Sequence, residues 1–361
     1  MACKSSPSLL SCLCLLLLFR QIRGTSVPAV FVFGDSTVDV GNNNYLPTLT
    51  RADFPHNGVD FPGGKPTGRF SNGFNFADYV AKKMGFPRSP LAFLSLTGSA
   101  LRKKASTGVN FASAGSGILP TTGNGRVISM GEQVQQFEMV RANLTARFGA
   151  PAVESLLAES LFLFSTGSND IFAGYAARGA PNTAQGTDFI SSLASEYKEH
   201  LRALYKLGAR KLGIVSVPPI GCCPSQRVQN ARGGCLDGLN EFSQRFYWAT
   251  KAVLAELTAE LGNLSYALQD AYGMVATVLE NPIPFGFKEV KSACCGGGRF
   301  NGVLPCLPIV EYCSHRKDYL FWDFYHPTQE ASKLAAKTFY SGSQQFVGPM
   351  NLRQLVGNGN F

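Results

Sequence analysis

Short apolar runs alternate along this chain with longer segments in which apolar residues return every three to four positions. Ala29-Val-Phe-Val-Phe33 is the first such run, rich in β-forming side chains and ended by Gly34. Leu161-Phe-Leu-Phe164, Leu212-Gly-Ile-Val-Ser-Val217 and Leu264-Ser-Tyr-Ala-Leu268 are of the same kind. Runs this short, without an alternating polar face, suit strands buried on both sides. Between them, helical spacing predicts helices over residues 73–84, 130–148, 188–207 and 239–261. Buried strands separated by long helices imply βαβ units. The expected fold is α/β, a three-layer sandwich with a central, mainly parallel sheet and helices on both faces. Gly149-Ala-Pro151 and Pro181-Asn-Thr-Ala-Gln-Gly186 interrupt the pattern and read as loops rather than linkers. With no repeat and no low-complexity block, residues 27–361 read as one domain.

The N-terminus stands apart. Lys4 is followed by an apolar stretch from Leu9 to Phe19, broken only by Ser11, Cys12 and Cys14, and then by Arg20 and Arg23. That stretch is too short to span a bilayer and suits a secretory leader, 1–26, cut after Gly24 or Ser26. No later run reaches the ~18 apolar residues of a transmembrane helix, and residues 356–361 carry no anchor signal. The expectation is a secreted, extracellular protein. At 45% hydrophobic and 16% charged residues, the chain belongs neither to the disordered nor to the multispan class. Without Lys4, Arg20 and Arg23 the formal net charge falls from +9 to +6. The excess is scattered, and its one dense run, Arg102-Lys103-Lys104, has no interleaved aromatics, so nucleic acid is not an expected partner.

Cysteine usage agrees with export. Outside the leader seven remain, Cys222, Cys223, Cys235, Cys294, Cys295, Cys306 and Cys313, in two Gly/Pro-rich clusters. They contain no C-x-x-C, and His315 is the only nearby histidine, so disulfides are expected rather than a metal. An odd count leaves a thiol over, with Cys222 or Cys223 the candidate. Asn143-Leu-Thr and Asn263-Leu-Ser are acceptor sequons for N-glycosylation in an exported chain.

In open α/β sheets, sites form outside the carboxyl ends of the strands. Here those ends are Gly34-Asp-Ser-Thr37, Thr166-Gly-Ser-Asn-Asp170 and Pro218-Pro-Ile-Gly221. Ser36 is an ordinary alcohol unless a histidine takes its proton and a carboxylate orients that histidine. The chain offers His56, His200, His315 and His326. His326 stands out because Asp323 lies three residues earlier, where one turn can bring the carboxylate to the imidazole. Pro327 then pushes His326 out of the helical region, and Thr328 suits the cap of a following helix. His56 and His315 read as surface loop residues, and His200 as part of a solvated helix face. Asp39 and Asn42 to Asn44 suit a turn after Ser36. Pairing Asp35 with Asp39 or Asp323 as glycosidase carboxylates would leave Ser36, Asn169 and His326 without a role. Phe321, Trp322, Phe324 and Tyr325 are candidates for either an acyl pocket or the core.

Five ordered blocks give these residues a common context. Gly34-Asp-Ser-Thr-Val-Asp-Val-Gly-Asn-Asn-Asn44 resembles the first block of the plant GDSL esterase/lipases, a branch of the SGNH hydrolases. Gly68-Arg-Phe-Ser-Asn-Gly73, Gly108-Val-Asn-Phe-Ala-Ser-Ala-Gly-Ser-Gly117, Gly167-Ser-Asn-Asp170 and Asp323-Phe-Tyr-His-Pro-Thr328 resemble further blocks in the family's order. The resemblance runs over nearly the whole mature chain. It implies Ser36 as nucleophile, His326 as general base and then acid, and Asp323 as its orienting group. It also implies an oxyanion hole from the Ser36 N–H, a backbone N–H near Gly115 and the Asn169 amide. The family's usual pair of glycines is here Ala114-Gly115, so the backbone donor is Gly115 or, one position off, Ala114. The implied substrate is an acyl ester of lipid or cell-wall type, with no metal and no organic cofactor. G-D-S near the mature N-terminus is unlike the G-x-S-x-G elbow of α/β-hydrolases. Acyl transfer to other alcohols, or a role in binding with little turnover, are the alternatives.

Overall fold

A computed structural model describes residues 26–178 and 184–357. Its regular elements in chain order are β1 (Val30–Gly34), α1 (Phe76–Lys83), α2 (Met130–Phe148), α3 (Ala150–Glu159), β2 (Leu161–Ser165), α4 (Ser168–Arg178), α5 (Ala184–Lys206), β3 (Lys211–Val215), α6 (Asp237–Glu260), β4 (Ser265–Gln269), α7 (Ala271–Glu280), β5 (Glu289–Ala293), β6 (Tyr319–Phe321), α8 (Gln329–Ser341) and β7 (Val347–Gly348). Several short helical turns lie between them.

The main sheet has the order β1-β2-β3-β4-β7, with the first four strands parallel and β7 antiparallel at the edge. On the outer side of β1 runs the segment 109–111, bonded through Val32 N–H to Val109 O and Phe111 N–H to Val32 O. The chain therefore leaves β1 toward one side and returns to β2 on the other. This reversal opens a crevice at the carboxyl end of β1, where Ser36 lies.

Strand alternation divides the core in two. Phe31, Phe33, Phe162, Phe164, Leu212 and Ile214 face α2, α3, α5 and α6, whereas Val30, Val32, Leu161 and Leu163 face α1 and α8. The result is the expected three-layer α/β sandwich. Phe33 stacks on Phe111 and Phe164 at 5.0 and 5.1 Å between ring centroids, fixing the strand that delivers the serine.

Gly149, at φ 82°, ends α2, and Pro151 opens α3 in its first turn, so what reads as a loop is a tight corner between two helices. Of the other interruption, residues 181–183 lie outside the described residues, and Ala184, Gln185 and Gly186 already belong to α5. A separate two-stranded sheet, β5 with β6, is stapled by Cys294–Cys313 and Cys295–Cys306 and packs around the buried Trp322. Cys222 pairs with Cys235, leaving Cys223 as the free, buried thiol. Among the described residues no helix is long and apolar enough to cross a membrane. The leader 1–26 lies outside the described residues except for Ser26.

Candidate active site

Ser36 stands two residues beyond β1 because the backbone bends sharply at Gly34. Its φ of 140° and the 2.0 Å that a Cβ would leave to Ser165 O exclude any side chain there. Gln133 of α2 fixes that bend, its Oε1 accepting from Gly34 N–H at 2.8 Å and its Nε2 donating to Gly34 O at 3.0 Å. Beyond the bend, Val38 and Asp39 N–H both return to Asp35 O. Asp35 Oδ1 accepts from the Thr37 N–H and hydroxyl. The chain thus makes one tight turn with the Ser36 hydroxyl at the edge of the crevice.

His326 reaches that hydroxyl from the other end of the sequence. Its Nε2 lies 2.7 Å from Ser36 Oγ, and its Nδ1 lies 2.8 Å from both Asp323 oxygens. A carboxylate only accepts, so the ring proton sits on Nδ1 and the Nε2 lone pair faces the serine. Asp323 Oδ1 also accepts the Tyr325 and His326 N–H groups, closing a turn that locks the i, i+3 pair. The disulfide-stapled sheet carries this turn: Cys295 N–H donates to Trp322 O, and Trp322 N–H to His326 O. Thr328 caps α8 as its position suggests. Burial would raise the Asp323 carboxyl, but the neighbouring imidazole and the bonds from Tyr325 and His326 outweigh it and hold the group below the ordinary range.

A third segment, 113–119, faces the serine. Ala114 N–H is already donated to Asn43 Oδ1 at 3.1 Å and Asp39 Oδ2 at 3.2 Å. Neither the Gly115 nor the Ser36 N–H has a partner among the described residues. This difference favours Gly115 over Ala114 as a donor. Asn169, at the start of α4, spends one amide hydrogen on Ser116 O at 2.8 Å and keeps the other. Asp170 pins the segment, Oδ2 accepting from Ile118 N–H and Oδ1 from Leu119 N–H and the Thr122 hydroxyl. Burial raises its carboxyl despite these donors. Asp39, Asn42 and Asn43 are likewise structural: their side chains bond the turn itself and the backbone at 110–114.

Two histidines differ from expectation. His200 is not on a solvated face: its side chain is 14% exposed, and Nε2 lies 3.1 Å from Ile118 O, an interaction that a pattern of helical spacing does not reveal. His56 is half-buried against Tyr312, its loop folded onto the disulfide-stapled segment. His315 is exposed, as read. Of the aromatics near His326, Phe321 and Tyr325 line the cavity at the site while Trp322 is core. Asn263 is exposed in a turn, whereas Asn143 lies within α2 with Nδ2 bonded to Met139 O.

The cavity measures about 800 Å³ and contains Ser36, Gly115, Asn169 and His326 in its wall, with a mainly apolar remainder. Sequence comparison agrees with this architecture: residues 30–339 match the family model of GDSL-like lipases and acylhydrolases. The chain belongs to the GDSL lipase/acylhydrolase family. It is therefore a carboxylic ester hydrolase by family. Among its relatives, one GDSL esterase/lipase of Arabidopsis thaliana is 39% identical over 92% of this chain and 90% of its own length. GDSL esterase/lipase LTL1 of the same plant is 39% identical over 90% of this chain and 89% of its own, and GDSL esterase/lipase 7 is 38% identical over 97% and 99%. Residues that the motifs do not single out also build this GDSL site. Gln133 had one signal, as the polar member of the buried stripe Met130, Gln133, Phe137, Val140 and Leu144.

Proposed function

We propose that this GDSL hydrolase is a secreted serine esterase or lipase in which Ser36 attacks the acyl carbonyl. His326 takes the hydroxyl proton on Nε2, and Asp323 holds the ring's tautomer and balances the imidazolium that forms. The tetrahedral oxyanion is received by the Ser36 N–H, the Gly115 N–H and the free Asn169 amide hydrogen, each such donor contributing about 3 kcal/mol in the transition state. The alcohol leaves with the His326 proton, and water, deprotonated by the same nitrogen, releases the acid. The residues supply nucleophile, base and oxyanion donors themselves. Acyl esters of lipid or cell-wall type suit the apolar cavity. Export is supported by the three disulfides and the apolar N-terminal segment, with Asn143 and Asn263 as the proposed glycan acceptors.

The observation that carries this reading is the unbroken relay of 2.7 and 2.8 Å contacts from Ser36 to Asp323, beside two unpartnered N–H groups. It is tested by hydrolysis of p-nitrophenyl esters by the wild type and Ser36→Ala. The variant should lose at least about 10³-fold in kcat. Equal rates in the two proteins would overturn the serine mechanism.

A further inference from the structure

The cavity does not end at the serine. In the sheet register, Gly34 stands opposite Ser165, Ser165 opposite Val215, and Val215 opposite Gln269. These four residues form one row across the carboxyl ends of four parallel strands, and the last three line the cavity. They alternate with Phe164, Ile214 and Leu268, which point into the opposite core, so the row faces α8. Ala331 and Ala335 of α8 cover it, and Met274 and Val278 of α7 flank it. Val215 is half-buried although its strand lies between two others, so its free surface is turned to the cavity. One pair deeper on the same face, the space over Gly213 is filled by Leu352 and Phe339. Gln269, fully buried with Nε2 on Ala335 O at 3.0 Å and Met274 Sδ at 3.4 Å, walls off the far end.

From these observations we infer that this arm is a subsite for a straight acyl chain, which runs over Val215 in its floor and is limited in length by Gln269 at its far end. The inference rests on the serine esterase reading and names its substrate class. Neighbouring strands are about 4.8 Å apart, so Val215 lies about 10 Å and Gln269 about 14 Å from the strand that carries Ser36. An extended hydrocarbon advances about 1.25 Å per bond, from tetrahedral C–C bonds of about 1.5 Å. A chain attached to Ser36 therefore passes Val215 near its eighth carbon and meets Gln269 near its eleventh. The side chains named along that path, Ser165, Val215, Ala331, Ala335, Met274 and Val278, are small or apolar and leave room for methylenes.

The test is the kcat/KM of p-nitrophenyl esters from butanoyl to hexadecanoyl, for wild type, Val215→Phe and Val215→Ala. In the wild type kcat/KM should rise two- to fourfold per methylene, the value of burying one CH2 group, and stop rising at about ten to twelve carbons. Val215→Phe should move that limit to about eight carbons and lower the decanoyl-to-butanoyl ratio about four- to sixteenfold, the value of two methylenes. Val215→Ala, which removes bulk and strains nothing, should keep or raise the ratio. A wild-type profile still rising at hexadecanoyl, or a Val215→Phe ratio equal to the wild type's, would overturn the subsite. These outcomes differ from failure of the esterase reading itself, in which even the butanoyl ester would be hydrolysed equally by wild type and Ser36→Ala.

Discussion

Replacing Asn43 by alanine should damage catalysis from a residue that never meets the substrate. The Asn43 amide donates to Thr50 O at 2.8 Å and Ala114 O at 2.9 Å, while its oxygen accepts from the Ser113 hydroxyl at 2.6 Å and Ala114 N–H at 3.1 Å. Asn43 is almost fully buried, so alanine leaves all four partners without it. At about 1 kcal/mol net per bond, the loss amounts to about 3–4 kcal/mol, a large share of a typical folding free energy. For about 330 residues the unfolding entropy is about 0.7 kcal/mol/K, so Tm should fall by about 5 °C. The same bonds fix the peptide immediately before Gly115, whose N–H is the proposed oxyanion donor. Displacing one such donor costs about 10²-fold in kcat, with kcat/KM falling in parallel because the contact exists only in the transition state. Differential scanning calorimetry and p-nitrophenyl butanoate kinetics on the same preparation read both effects. A variant that melts within 1 °C of wild type and keeps its kcat would refute the assignment of Asn43 as the brace of this segment.

Further outcomes follow from burial and hydrogen bonding. Asp35 is pushed up to about 6 by desolvation against the opposing Thr37 bonds, so the native state keeps a proton that the unfolded chain sheds, and stability falls as pH rises from about 4 to about 6. Asp35→Asn removes that loss, and its stability relative to wild type, from urea unfolding, should improve by up to about 3 kcal/mol between pH 4 and 7; parallel curves would contradict it. Asp323, held low, works in the opposite sense: its contribution is complete above the ordinary carboxylate range and disappears as pH falls through its folded pKa. Burial pushes the Cys223 thiol up to about 12. Iodoacetamide should therefore leave the folded mature protein unmodified and add one equivalent after unfolding without reductant, at Cys223; rapid native alkylation would show the thiol to be exposed. Asn263 should carry a glycan more fully than Asn143, whose amide is held inside α2, as peptide mass mapping of the secreted protein would read; the reverse occupancy would contradict this ranking.

The four parallel strands and the long helices were legible because each is a local pattern: apolar runs between glycines, and stripes of helical spacing. The helix α3 was hidden by Gly149 and Pro151, which mark a helix end and a helix start but together resemble a loop. The strand β7, two residues long, has no pattern to read. At the site, Asp323 and His326 lie one turn apart and could be paired by spacing. Ser36 sits 290 residues from His326, and only the resemblance joined them before the fold did. Gln133, Asp170 and His200 act by holding backbone far away in sequence, and such partnerships leave no local periodic trace. The preference for Gly115 over Ala114 as the proposed donor rests on hydrogen-bond accounting, since Asn43 and Asp39 already occupy the Ala114 N–H.

The most direct measurement is covalent capture with a fluorophosphonate, which needs an activated serine and is held by oxyanion donors. Intact mass and peptide mapping of the wild type should show one adduct, on Ser36, forming at least about 10²-fold faster than in His326→Ala, since the base activates the nucleophile. An adduct on another residue, or equal rates in the two proteins, would contradict the assignment of Ser36 and His326 as the reacting pair.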